Sequence, residues 1–152
     1  HTFKVFDIKK YITTELFINI DDIRCVIWLN KIGRKYCLKK IAEAPHYLYL
    51  NEEKEYYEKY VTEIDKAHSS TMYDSLITYI NSDKNNVNNI TIPVSYHTDI
   101  NKYVIIDGIH RTCILLNNNI NYIRCKVKND NQFSPKNRYA NERDFEIEKN
   151  NS

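Results

Sequence analysis

The chain has 152 residues, 42% of them hydrophobic, and 22 Lys+Arg against 20 Asp+Glu leave a formal net charge of +2. That size and apolar content suit a domain with a real core. The near balance of charge gives no electrostatic case for a DNA-coating or polybasic membrane protein, while leaving room for a local basic pocket.

Asn, Ile, Lys and Tyr are heavily used, as in AT-rich coding sequence, so the 13 tyrosines are not read as stacking platforms. Cys25, Cys37, Cys113 and Cys125 form no CxxC pair and have no zinc-like spacing to His. Three of them lie in apolar runs, where thiols act as small buried hydrophobes, and a reduced cytoplasmic protein is expected. No signal peptide or membrane-length apolar run is visible, and the start at His1-Thr2 fits a tag remnant or an excised boundary.

Residues 3–12 alternate imperfectly and fit a strand or a short helix. Ile18 to Leu29 is rich in β-branched and aromatic residues and predicts one or two strands. A basic segment with Gly33 in a turn follows, and Ala44-Pro45-His46-Tyr47 reads as a loop. From Asn51 a helix is predicted, with Asn51 as cap, Glu52, Glu53 and Glu55 in the first turn, and Tyr56, Tyr57, Tyr60, Val61 and Ile64 inward. Ser69-Ser70-Thr71 caps a second helix with Met72, Leu76, Ile77 and Ile80 as its stripe, closed by a polar loop from Asn81. Strands are predicted at 90–96, with Pro93 marking an edge or bulge, at 102–107 and at 122–127, with a helix over 108–118 between the last two. The whole is read as one α/β (α+β) domain over 1–152, a small mixed sheet with flanking helices. Its core spans about 44–128 and a polar tail covers 129–152.

The chemistry concentrates where the strand YVIID meets GIHRTCILL. A helix N-terminus presents free N–H groups and partial positive charge, which suit phosphate. Gly108 lets the backbone turn sharply and approach a ligand, and the amides from Gly108 and Ile109 onward face it. His110 and Arg111 add cationic donors, and Thr112 adds a hydroxyl. Asp107 can bind Mg²⁺ or accept a proton from an attacking hydroxyl. A structural alternative makes Asp107 a cap and leaves His110 and Arg111 in solvent, at the cost of cations against the helix dipole.

The segment VIIDGIHRTCILLNNNINYIRCKV resembles the central motif of the ParB/sulfiredoxin superfamily, over about residues 90–127, and the two preceding helices fit its order. The resemblance implies a small α/β domain that binds nucleotide phosphates at this helix N-terminus. Sulfiredoxins place a catalytic Cys directly before the His-Arg pair, where this chain has Ile109, with Cys113 one turn on. ParB proteins use a Glu-Arg-Arg turn for CTP and carry a helix-turn-helix domain afterwards, for which this chain has no room. Free serine kinases carry Asp-Gly-His-His-Arg, which residues 107–111 match at four of five positions. Their catalytic Glu follows an upstream Pro loop. Here the counterpart is residues 44–47, Tyr47 stands where the Glu is expected, and Glu43 and Glu52 are the nearest carboxylates. His46 is a candidate base or phosphate ligand. The pairing of this loop with the Asp-Gly-x-His-Arg turn resembles members found with surface-polysaccharide genes, which implies a sugar-type acceptor.

The expectation is a kinase that passes phosphate from ATP or ADP, with Mg²⁺ on Asp107, to a hydroxyl of an amino acid or sugar-type molecule. His110, Arg111, His46 and Glu43 would act around it. A non-catalytic nucleotide-sensing module is the alternative, and a ParB-like nucleic-acid binder is disfavoured by the charge balance. Trp28 and Tyr36 are read as packing residues, and Lys31, Arg34, Lys35, Lys39 and Lys40 as a solvated face.

Overall fold

A computed structural model describes residues 14–32 and 35–128. The segment 3–12, Gly33, Arg34 and the tail from 129 lie outside the described residues. The strands are β1 (Thr14–Asn19), β2 (Ile23–Asn30), β3 (Lys35–Lys40), β4 (Ile92–His97), β5 (Lys102–Ile105) and β6 (Tyr122–Val127). They form one mixed sheet in the order β1-β6-β4-β5-β2-β3. The helices are α1 (Pro45–Leu50), α2 (Lys54–Glu63), α3 (Ser70–Asn81), α4 (Lys84–Asn88) and α5 (Ile109–Asn117). This is the expected mixed α/β class.

Register explains which residues reach the core. β1 pairs antiparallel with β6, Leu16 opposite Cys125 and Ile18 opposite Ile123, and β6 runs parallel to β4. β4 pairs antiparallel with β5, Val94 opposite Ile105, and β5 runs parallel to β2, which pairs antiparallel with β3. Alternation then sends Ile23, Cys25 and Ile27 of β2 into the main core with Ile92, Val94 and Ile105, beneath the helices. Val26 turns to the opposite face, with Tyr36, Leu38 and Val104. Each such Ile or Leu contributes about 1.5–3 kcal/mol by leaving water. All four cysteines are free and buried, and Trp28 packs edge-on against Tyr36 at 5.1 Å.

The strand predictions for 90–96 and 122–127 correspond to β4 and β6; the region 18–29 holds most of β2 but only the last two residues of β1, which begins at Thr14, and within 102–107 the strand β5 ends at Ile105. A 3-10 turn at Ile20–Asp22 divides the region 18–29 in two. The basic segment holds a strand, β3, which its alternating Tyr36-Cys37-Leu38 fits once it pairs with β2.

Several local expectations are corrected. Residues 45–47 are not a loop. Pro45 sits at the first position of α1, where its missing N–H costs nothing, and Ala44 before it stays extended at φ −69°, ψ 144°. Asn51 closes α1 rather than opening α2, donating its side-chain amide to the Tyr47 carbonyl at 3.1 Å. α2 therefore starts at Lys54, with only Glu55 as an acidic residue in its first turn. Tyr56 is 39% exposed, whereas Tyr57, Tyr60 and Val61 are buried. Ser69 caps α3 as expected, accepting from Met72 N–H at 3.2 Å. Yet Tyr73 and Ile80 are buried there, and Met72 is exposed. Asp83 caps a short helix, α4, inside the predicted polar loop. Pro93 lies in a central strand. Its carbonyl accepts from Ile106 N–H at 2.9 Å just past the end of β5, so its missing donor falls at the last rung of the β4–β5 ladder.

Candidate functional site

The β5–α5 junction is built around one backbone conformation. Gly108 caps α5 at φ 100°, ψ 32°, in the left-handed region that L side chains rarely adopt. A Cβ there would also meet Ile92 Cδ1 at 3.1 Å. The glycine is thus required both by its dihedrals and by the packing of β4 beneath it. The Gly108 carbonyl accepts from Thr112 N–H at 2.9 Å and from Thr112 Oγ1 at 2.8 Å. The amides of Ile109, His110 and Arg111 precede that first intrahelical bond, leaving the helix end open to an anion.

Thr112 is buried and its hydroxyl points back into its own helix. It supports the turn and does not line the cavity, unlike Asp107, Gly108, Ile109, His110 and Arg111. Asp107 and Arg111 are exposed at the junction.

His110 is locked by an aromatic nucleus drawn from several helices. Its Nε2 lies 2.9 Å from the Tyr57 hydroxyl of α2. Its ring meets His46 of α1 edge-on at 4.5 Å, Tyr73 of α3 edge-on at 4.7 Å, and His68 at 4.7 Å with a 39° tilt. The Tyr73 hydroxyl donates to the His46 carbonyl at 2.8 Å, joining α3 to α1. The Trp28 N–H donates to the Tyr60 hydroxyl at 3.1 Å, fixing α2 to the sheet.

Burial and the neighbouring His68 bring the His110 pKa down to about 4, against smaller opposing pulls from Asp65 and Asp107. His46 is 2% exposed. Burial, then His110 and His68, holds its pKa well below the usual value. Both imidazoles are therefore neutral near pH 7. The expected cationic role of His110 becomes that of a neutral hydrogen-bonding group, and Arg111 carries the positive charge. His46 Nδ1 is buried with no hydrogen-bond partner among the described residues. Burial also raises the Tyr57 and Tyr73 hydroxyls well above their usual range, so both stay protonated.

The junction opens into a cavity of about 560 Å³. Apolar lining comes from Met72, Leu76 and Tyr79 of α3 together with Ile106 and Ile109. Polar lining comes from Asp65, His68, Asp107, His110 and Arg111, and His46 also reaches it. Glu43 lies in the 3-10 turn Ile41–Glu43 and is not among the lining residues. Asp65 and His68, at 4.0 Å from each other, were not singled out in the sequence. The Asp-x-x-His spacing just after α2 was the available signal.

Among the described residues no group of three or more His, Cys, Asp or Glu side chains is arranged to hold a metal ion. Asp107 is a single exposed carboxylate, and Mg²⁺ takes one or two protein carboxylates and completes its shell with phosphate oxygens and water. No helix among the described residues is long and apolar enough to cross a membrane. Compared with protein-family models, curated proteins and solved structures, the chain matches none of them.

Proposed function

We propose that this chain is a ParB/sulfiredoxin-like, nucleotide-dependent phosphotransferase that moves phosphate to a hydroxyl of a small molecule, of amino-acid or sugar type. One observation carries the reading. The open N-terminus of α5, the exposed Arg111 and the exposed Asp107 line one cavity together with Met72, Leu76 and Tyr79 of α3. Polyphosphate belongs at the amides of Ile109–Arg111, with the Arg111 fork on its oxygens. A nucleobase belongs against the Met72, Leu76 and Tyr79 side. Asp107 would hold Mg²⁺ when it is bound, and the ion would neutralise charge on the phosphate oxygens.

Phosphoryl transfer asks the protein mainly for positioning and electrostatics. Here Arg111 stabilises charge on the transferring group. The neutral His110, held by Tyr57, lines the site beside it. Incubation with labelled ATP, ADP or CTP, Mg²⁺ and pools of amino acids and sugars tests this: a labelled acceptor is the expected product.

A second reading, a nucleotide-sensing module without turnover, is favoured by the position of Glu43 outside the cavity lining. Nucleotide binding with no labelled acceptor and no released phosphate would support that reading and contradict the first.

A further inference from the structure

Asp65 and His68 follow the C-terminal end of α2 and line the same cavity as Asp107, His110 and Arg111. Asp65 Oδ2 faces His68 Nδ1 at 4.0 Å, and its other oxygen, Oδ1, pairs with Lys31 Nζ at 3.2 Å. Lys31 thus anchors the carboxylate from the β2 side while its second oxygen addresses the imidazole. At 4.0 Å this is an ion-pair distance and not a hydrogen bond; closing that gap would favour hydrogen on Nδ1 and leave the Nε2 lone pair as the acceptor.

The cavity histidines differ in what they can reach. His46 reaches the lining but is only 2% exposed and packs edge-on against His110. His110 Nε2 is held by Tyr57. The His68 side chain is 46% exposed and stacks obliquely on His110, beside the junction where phosphate is placed.

We propose that His68 is the general base of the transfer reaction, with Asp65 as its positioning residue; this rests on the phosphotransferase reading above. The acceptor O–H bond breaks and its proton passes to His68 Nε2. The acceptor oxygen bonds to the terminal phosphorus of a nucleoside triphosphate. The bond from that phosphorus to the bridging oxygen breaks, its electron pair leaving on the nucleoside diphosphate, and the imidazolium returns its proton to solvent. The pair fills the place that the sequence left to Glu43.

The test uses the full chain with Mg²⁺ and terminally labelled ATP, reading label on pooled amino acids and sugars and as free phosphate. His68→Ala is expected to lower kcat by about 100-fold or more, with calorimetric affinity for ATP within about twofold, and added imidazole should restore part of the rate. Asp65→Asn is expected to lower kcat by about tenfold with KM unchanged. Full activity of His68→Ala at unchanged melting temperature overturns the base assignment and leaves the phosphotransferase reading intact. Wild-type protein with no nucleotide heat, or no transfer, overturns both. Nitrogen-15 NMR of the wild type gives a check that needs no variant to fold: hydrogen on His68 Nδ1 is expected, and hydrogen on Nε2 in the neutral ring overturns the assignment.

Discussion

The Tyr57 hydroxyl stands 2.9 Å from His110 Nε2, so a residue of α2 sets the orientation of a side chain in the first turn of α5. The same imidazole touches His46 and Tyr73, which are themselves joined by the Tyr73 hydroxyl and the His46 carbonyl. The N-terminal end of α5 is therefore fixed by the packing of α1, α2 and α3, and the stability of that packing depends on two imidazoles staying uncharged.

That dependence has a sign. His110 titrates at about 4 in the folded chain against the usual 6.5, and His46 is lowered as well. Between those values the unfolded chain binds more protons, so stability is full above pH 6.5 and falls as pH drops toward 4. For His110 alone the loss is on the order of 3 kcal/mol. Urea unfolding at pH 7.5, 6, 5 and 4.5 measures it. A midpoint that stays level below pH 6.5 contradicts the buried, neutral assignment.

Gly108→Ala combines two costs, a left-handed φ worth about 1–2 kcal/mol and the 3.1 Å approach to Ile92 Cδ1. Ile92→Val removes that methyl and costs about 0.5–1.5 kcal/mol by itself. The double variant should be less destabilised than the sum of the singles, because the steric part disappears and the dihedral part remains. Strict additivity in thermal or urea unfolding would show that the dihedral alone explains the glycine.

Thr112→Val separates support from binding. The hydroxyl lost is one that donates to the Gly108 carbonyl, which keeps its bond from the Thr112 amide. Stability should fall by about 1 kcal/mol, and calorimetric affinity for ATP should stay within about twofold. A loss of binding at unchanged stability would return Thr112 to the ligand.

The last third of the chain was legible because its signals agree: β-branched runs, a glycine at the strand end and an apolar helix stripe all fit one arrangement. Around residue 45 they conflicted. Pro45 reads locally as a breaker, and only the missing-donor argument at a helix start distinguishes the two uses. Pro93 misled for a related reason, since a central strand tolerates proline where the neighbouring strand has already ended. In the sequence, residues 107–111 stood out through their residue types and spacing, whereas Asp65 and His68 come from a turn 42 residues before Asp107 and His110 respectively, which only tertiary packing brings to the same cavity. The charge of His110 was misread because burial against Tyr57, Tyr73 and His46 is not written in its local sequence.

The central claim is that the end of α5 at Gly108 holds polyphosphate, and titration calorimetry with Mg²⁺ and ATP, paired with Arg111→Ala, tests it most directly. Arg111 is exposed in the first turn of α5, so its removal should leave stability unchanged or a few tenths of a kcal/mol higher. The account predicts a binding heat for the wild type that weakens by at least about tenfold in affinity for the variant at an unchanged melting temperature. Absence of heat at millimolar nucleotide, or equal affinity in Arg111→Ala, would contradict it.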